Sequence, residues 1–130
     1  MIAIFRTSKD TIGEVIRLGR YALRGLPNLR AGDTILVAQT IASTTDSKPP
    51  IRYRMDFVRA YPDRYGESEQ IWGKQWAYMI ECANCRPLKH PFDIRDVQVT
   101  GKVYSQGGTV VYVEPADELV LREQDYLEVR

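Results

Sequence analysis

A chain of 130 residues, 44% hydrophobic and 27% charged, carries enough apolar side chains for one core and one domain over residues 1–130. That balance excludes a disordered or fibrous chain, and a net charge of +1 excludes a polycation that coats nucleic acid by charge alone. The opening Met1-Ile2-Ala3-Ile4-Phe5-Arg6 lacks an apolar signal region and no stretch is long enough to span a bilayer, so a cytoplasmic location is the expectation.

Residues 2–6 read as a short strand. The spacing of Ile12, Val15, Ile16, Gly19, Ala22 and Leu23 then predicts a helix over 9–24, with Ser8 as N-cap and Gly25 as its stop. On such a helix Arg17, Arg20 and Arg24 share a face next to the apolar one. Residues 26–33 are rich in turn formers, and Thr34-Ile35-Leu36-Val37-Ala38 is the near-continuous apolar run of a buried strand. A polar loop over 42–50 follows, then a strand near 51–60 with partial alternation through Ile51, Tyr53, Met55 and Phe57.

Both tryptophans of the chain fall in Ile71-Trp72-Gly73-Lys74-Gln75-Trp76, which runs into a strand near 76–83. Pro87 and Pro91 predict a kinked connection, and Phe92–Val97 a short strand or turn. Lys102–Tyr104 and Thr109–Val113, joined through Gly107-Gly108, predict a hairpin. Pro115–Tyr126 predicts a terminal helix with Leu119, Val120 and Leu121 as candidates for burial. The sum is an α+β chain whose mixed sheet curls into a small open barrel flanked by helices.

Charge is uneven along this order. Residues 1–64 hold 11 Lys/Arg against 6 Asp/Glu, and residues 65–130 hold 7 against 11. The basic half can present a surface to phosphates, or merely keep the chain soluble. Arg6, Arg17, Arg20, Arg24, Arg52 and Arg54 are its candidate phosphate ligands.

Catalytic signatures are missing. The chain has no Gly-rich phosphate loop, no Gly-x-Ser-x-Gly and no His-Glu-x-x-His. Cys82 and Cys85 form a lone Cys-x-x-Cys with no second ligand pair, so no metal and no cofactor is expected. His90 stands alone in a loop, and the carboxylates are scattered. A binding module is therefore expected rather than an enzyme.

Three stretches carry a resemblance: Ile4-Phe5-Arg6-Thr7-Ser8 before the first helix, Gly32-Asp33 before Thr34-Ile35-Leu36-Val37, and the double-Trp segment. Together with the order of elements they resemble the PUA-like superfamily, and within it the YTH and EVE domains that read modified bases. The resemblance implies an aromatic cage around a methylated base, with Trp72 and Trp76 as two walls and Tyr21, at the end of the first helix, as the third. It implies base-edge contacts from Thr7, Ser8 and Gln39. N6-methyladenine is the favoured ligand and a modified cytosine the next. DNA is favoured over RNA, because compact relatives occur with methylation-dependent McrB-type restriction systems, where an AAA+ GTPase and a nuclease are fused or associated partners. Three residues separate the tryptophans here, against four in typical YTH proteins. The ASCH branch of the superfamily includes catalytic members, and its Gly-x-Lys-x-x-Glu-x-Arg signature is absent. The alternative is a PUA-like RNA-binding domain or small enzyme without a modified-base pocket. Read from the residues alone, Trp76 alternates with Tyr78 and Ile80 and suits the inner face of a strand equally well.

Overall fold

The protein is described by a computed structural model over residues 1–39, 51–92, 110–113, 115–123 and 126–130. Its described elements are β1 (Ile2–Thr7), α1 (Ile12–Leu18), β2 (Arg20–Leu23), β3 (Thr34–Gln39), β4 (Ile51–Pro62), α2 (Glu67–Trp72), β5 (Tyr78–Phe92), β6 (Val110–Tyr112) and α3 (Pro115–Glu123). The strands form one sheet in the order β2-β5-β4-β3-β1-β6. β1 and β3 run parallel, from Ile2 against Thr34 to Thr7 against Gln39, and every other pairing is antiparallel.

Apolar runs in β1 and β3 have a direct cause: both faces of these strands are covered. Period two sends Ala3, Phe5, Ile35 and Val37 to one core, where Met55, Phe57, Ile80, Tyr21 and Leu23 meet them. The same period sends Ile2, Ile4, Leu36 and Ala38 to a second core, closed by Leu121 of α3 and by Leu127. The sheet curls. Phe5 of β1 and Tyr21 of β2 are four places apart in the strand order, yet their rings stack at a centroid distance of 4.6 Å. Only a sheet rolled towards closure brings them together.

The first helix is shorter than its periodicity predicts. It stops at Leu18 because Gly19 adopts the left-handed conformation, φ 65°, and donates its N–H to the Val15 carbonyl. The chain then runs straight against β5, with the Gly19 carbonyl accepting from Cys82 N–H at 2.8 Å. A Cβ at Gly19 would lie 2.5 Å from the Cys82 carbonyl oxygen, so no other residue fits this corner. Arg20, Tyr21, Ala22 and Leu23 pair with Glu81, Ile80, Met79 and Tyr78. Interstrand pairing overrides the helical preference that Arg20, Ala22 and Leu23 bring to this segment. Helix α1 also starts later than expected. Its N-cap is Thr11, and Ser8 contributes its carbonyl, which accepts from Thr11 and Ile12 N–H at 3.1 and 3.0 Å.

β5 is one strand of 15 residues that passes through both prolines instead of breaking at them. Pro87 is tolerated because its missing N–H is not needed there. Its carbonyl accepts from Arg130 N–H at 3.1 Å, while Leu88 bridges to Val129 and Lys89 N–H reaches the Glu128 carbonyl. A bulge at Asn84, φ 56°, relieves the long strand, and Asp56 spans it by accepting from Asn84 and Arg86 at 3.0 and 2.7 Å. The expected Gly107-Gly108 turn and the polar loop over 42–50 lie outside the described residues; β6 itself pairs with β1. In α3, Leu121 is buried as expected, but Leu119 and Val120 are exposed.

Candidate nucleic-acid interface

The double-Trp segment is built as a helix end followed by a clasped loop. Asp63 is the organiser. Its carboxylate accepts from Glu67 N–H and Ser68 N–H at 2.9 Å each, capping the first turn of α2, and from the Ser68 hydroxyl. It also accepts from Gln75 Nε2 at 3.1 Å. Ser68 is fully buried, and its hydroxyl oxygen accepts from Trp76 N–H at 2.9 Å. Asp63 N–H donates to the Ala77 carbonyl at 2.9 Å. Partial burial alone opposes the charge on Asp63, but the Ser68, Glu67 and Gln75 donors outweigh it and hold the carboxyl below its ordinary value. Gly73, φ 76°, ends α2 and turns the chain so that Trp72 and Trp76 lie on different elements.

The two rings have different surroundings. Trp72, the last residue of α2, packs against the core that holds Phe5 and Tyr21. Its indole N–H is buried and has no acceptor among the described residues. Trp76 is half-exposed in the loop before β5, which begins at Tyr78 and not at Trp76. The Lys74 ammonium lies 4.5 Å from its ring centroid and the Arg24 guanidinium 5.8 Å.

Tyr21 is not a third wall of the expected kind. It lies on β2, not at a helix end, is 4% exposed, and stacks on Phe5 while its hydroxyl donates to the Arg6 carbonyl at 2.5 Å. Helix α1 ends before it, and the ring is consumed in closing the sheet. Trp72 and Tyr21 nevertheless meet the same core, so the indole of Trp72 sits at the edge of the barrel interior.

Thr7, Ser8 and Gln39 gather at a separate place, the C-terminal ends of the parallel strands. Thr7 and Gln39 face each other in register. The Thr7 hydroxyl bonds that of Thr11, and the Ser8 hydroxyl lies 3.1 Å from the same oxygen. These hydroxyls therefore brace the entry to α1.

The six arginines do not form one surface. With α1 ending at Leu18, Arg17, Arg20 and Arg24 cannot share a helix face. Arg17 is exposed and pairs with Glu14 at 2.5 Å. Arg20, on β2, lies 3.2 Å from Glu81 and 3.6 Å from Glu67. Arg54 donates to the Leu127 carbonyl at 2.9 Å and to the Thr34 hydroxyl at 3.1 Å, which ties the C-terminal segment to the sheet. Arg6 is 3% exposed within β1. Burial pushes both the Arg6 and Arg54 guanidinium groups below their ordinary values. These three inner arginines serve the fold. Arg52 is exposed on β4, and Arg24 alone of the six stands beside a tryptophan. Lys74 was not among the expected ligands, although its position between two tryptophans is the signal that could have found it.

Burial pushes the Cys82 thiol up to about 12, and Cys85 is exposed three residues on along β5. Among the described residues no cluster of three His, Cys, Asp or Glu side chains could hold a metal, and no helix is long and apolar enough to cross a membrane.

Compared with solved structures, the chain is similar to an ASCH protein of Zymomonas mobilis, crystallised as a point mutant, at 10% identity and a TM-score of 0.64, covering 94% of this chain and 96% of that one. The fold is PUA-like. A hypothetical protein from Leishmania major matches at 11% identity and a TM-score of 0.60, covering 95% and 93%. A Pseudomonas putida protein matches at 18% identity and a TM-score of 0.58, covering 96% and 99%. No family model and no curated protein matches the chain. At these identities the likeness concerns the fold, and the PUA-like frame extends over nearly the whole chain.

Proposed function

We propose that this protein is a nucleic-acid reader that captures a flipped-out methylated base on the Trp72–Trp76 segment, N6-methyladenine first and a modified cytosine second. The observation that carries the reading is the half-buried Trp76 ring flanked by Lys74 and Arg24, on the same segment as a buried Trp72 N–H that has no acceptor among the described residues. A base stacked on Trp76 gains about 1–3 kcal/mol, and the neighbouring cations suit its phosphates. An acceptor on the base edge would satisfy the Trp72 donor, whose isolation costs about 1–3 kcal/mol in the free protein. A methyl group adds about 0.8 kcal/mol of apolar burial. Shape and a hydrogen bond to the remaining exocyclic N–H raise the preference to about 10–100-fold.

Such a site cannot reach a base within a duplex, so a double-stranded target must give up its base at a cost of a few kcal/mol. DNA is favoured over RNA by the resemblance to readers associated with restriction systems, and an AAA+ GTPase or nuclease is the corresponding partner. The role is binding and not catalysis. Titrating matched oligonucleotides with and without N6-methyladenine or 5-methylcytosine, followed by Trp fluorescence, tests the reading. Tighter binding of one modified strand is expected, and equal affinity for all of them sinks it.

One observation favours a second reading. Tyr21 is fully engaged with Phe5, so the third cage wall is not supplied from the expected position. A PUA-like domain that binds RNA by stacking alone, without preference for a methyl group, needs only Trp76 and its cations. The same titration, extended to RNA strands, separates the two.

A further inference from the structure

Tyr65 is the most exposed large hydrophobic side chain among the described residues, at 94%, on the connection between β4 and α2. An aromatic ring left in water in a segment that is otherwise tightly bonded calls for a reason. The connection is not loose: Asp63 is fixed by Ser68, Glu67, Gln75 and Ala77, and Gly66 takes a left-handed turn, φ 75°, whose Cα edge lies against the Gln75 side chain. The residues on either side of Tyr65 are therefore stitched to the residues on either side of Trp76. One fully exposed ring, Tyr65, and one half-buried ring, Trp76, are presented from two loops held by one carboxylate.

The charges around the pair point to the occupant. Arg64 and Lys74 are exposed, and Arg24 stands by Trp76. Of the nearby carboxylates, Asp63 is consumed in the clasp, and Glu67 accepts from the Tyr61 hydroxyl at 2.6 Å and lies 3.6 Å from Arg20. Glu69 is exposed. Aromatic rings interleaved with cations match a single strand, whose bases stack on the rings while its phosphates meet the cations.

We infer that Tyr65 is a second stacking platform, which takes the nucleotide next to the captured base and so selects single-stranded or locally opened nucleic acid. This rests on the base-capture reading above. Tyr65 lies outside the cores, so substituting it leaves the fold intact.

The test compares the wild type, Tyr65→Ala, Tyr65→Phe and Trp76→Ala, each titrated with the free N6-methyladenosine nucleoside and with a short single-stranded oligonucleotide carrying N6-methyladenine. One lost base–ring stack corresponds to about a tenfold change in Kd. Tyr65→Ala is expected to weaken oligonucleotide binding by about that factor and leave nucleoside binding unchanged, while Tyr65→Phe matches the wild type. Unchanged oligonucleotide affinity in Tyr65→Ala, with Trp76→Ala impaired, overturns the role of Tyr65 and leaves base capture standing. If the wild type binds neither probe, base capture fails and the inference falls with it.

Discussion

Trp72 and Trp76 are four positions apart, yet the structure asks different things of them. Trp76 is half-exposed and held by its backbone N–H to Ser68, so its ring contributes little to the core. Trp76→Ala should leave the thermal midpoint within about 2 °C of wild type, since a change below about 0.5 kcal/mol is usual at such sites, while binding falls about tenfold. Trp72 packs against the barrel core, and Trp72→Ala should cost about 2–3 kcal/mol in urea unfolding, less than a fully buried tryptophan would. Trp72→Phe separates packing from hydrogen bonding. It loses some ring area but also removes a buried donor that has no acceptor among the described residues, so stability should stay within about 1 kcal/mol of wild type. Binding should still weaken if the indole N–H contacts the ligand, as isothermal calorimetry would report. The residue type and spacing of the pair were legible in the sequence. Which ring meets the core was not, because Gly73 turns the chain between them.

At the scale of elements, the clasp and the α1–β2 corner carry the sharpest expectations. The folded-state pKa of Asp63 is depressed by the Ser68, Glu67 and Gln75 donors. Its contribution to stability is therefore complete above the ordinary carboxylate range and is lost as pH falls through the depressed value. The stability difference between wild type and Asp63→Asn should be constant near neutrality and shrink on acidification, followed by urea midpoints across pH. A difference that ignores pH would assign the clasp to neutral hydrogen bonds. At the corner, Gly19→Ala puts a methyl group into the Cys82 carbonyl and a side chain at φ 65°, and should cost at least about 2 kcal/mol in urea unfolding. The periodicity of Ile12 to Leu23 could not reveal this corner. A helix face and a short inward strand share the residues Ala22 and Leu23, and the deciding contact is with β5, about sixty residues away. The prolines of β5 misled for a related reason: whether a missing N–H matters depends on which neighbour would have accepted it.

Over the whole molecule, closure of the sheet and distribution of charge set the behaviour. Phe5 on Tyr21 joins strands distant in the sheet order, so Tyr21→Ala should cost about 3–5 kcal/mol and broaden or abolish cooperative unfolding, which circular dichroism would register. Charge acts on a smaller scale than the arginine count implies. Arg6, Arg20 and Arg54 are spent on the fold, while Arg24 and Lys74 stand over Trp76 and Arg64 precedes Tyr65 in the chain. With about three phosphate contacts, the slope of log K against log salt for a single strand should be about −2. Arg20→Ala should lower stability and leave that slope unchanged. The sequence by itself determined the α+β class, the buried strands over 2–6 and 34–38, the absence of catalytic motifs and the spacing of the two tryptophans, because composition and local period are properties of neighbouring residues. Only the tertiary structure decided that Tyr21 belongs to the core, that three of the six candidate arginines are structural, and that Asp63 clasps the tryptophan loop. The arginines depend on partners remote in sequence, and the Tyr21 and Asp63 contacts on how a curled sheet and a turn bring separate segments together, which no local pattern records.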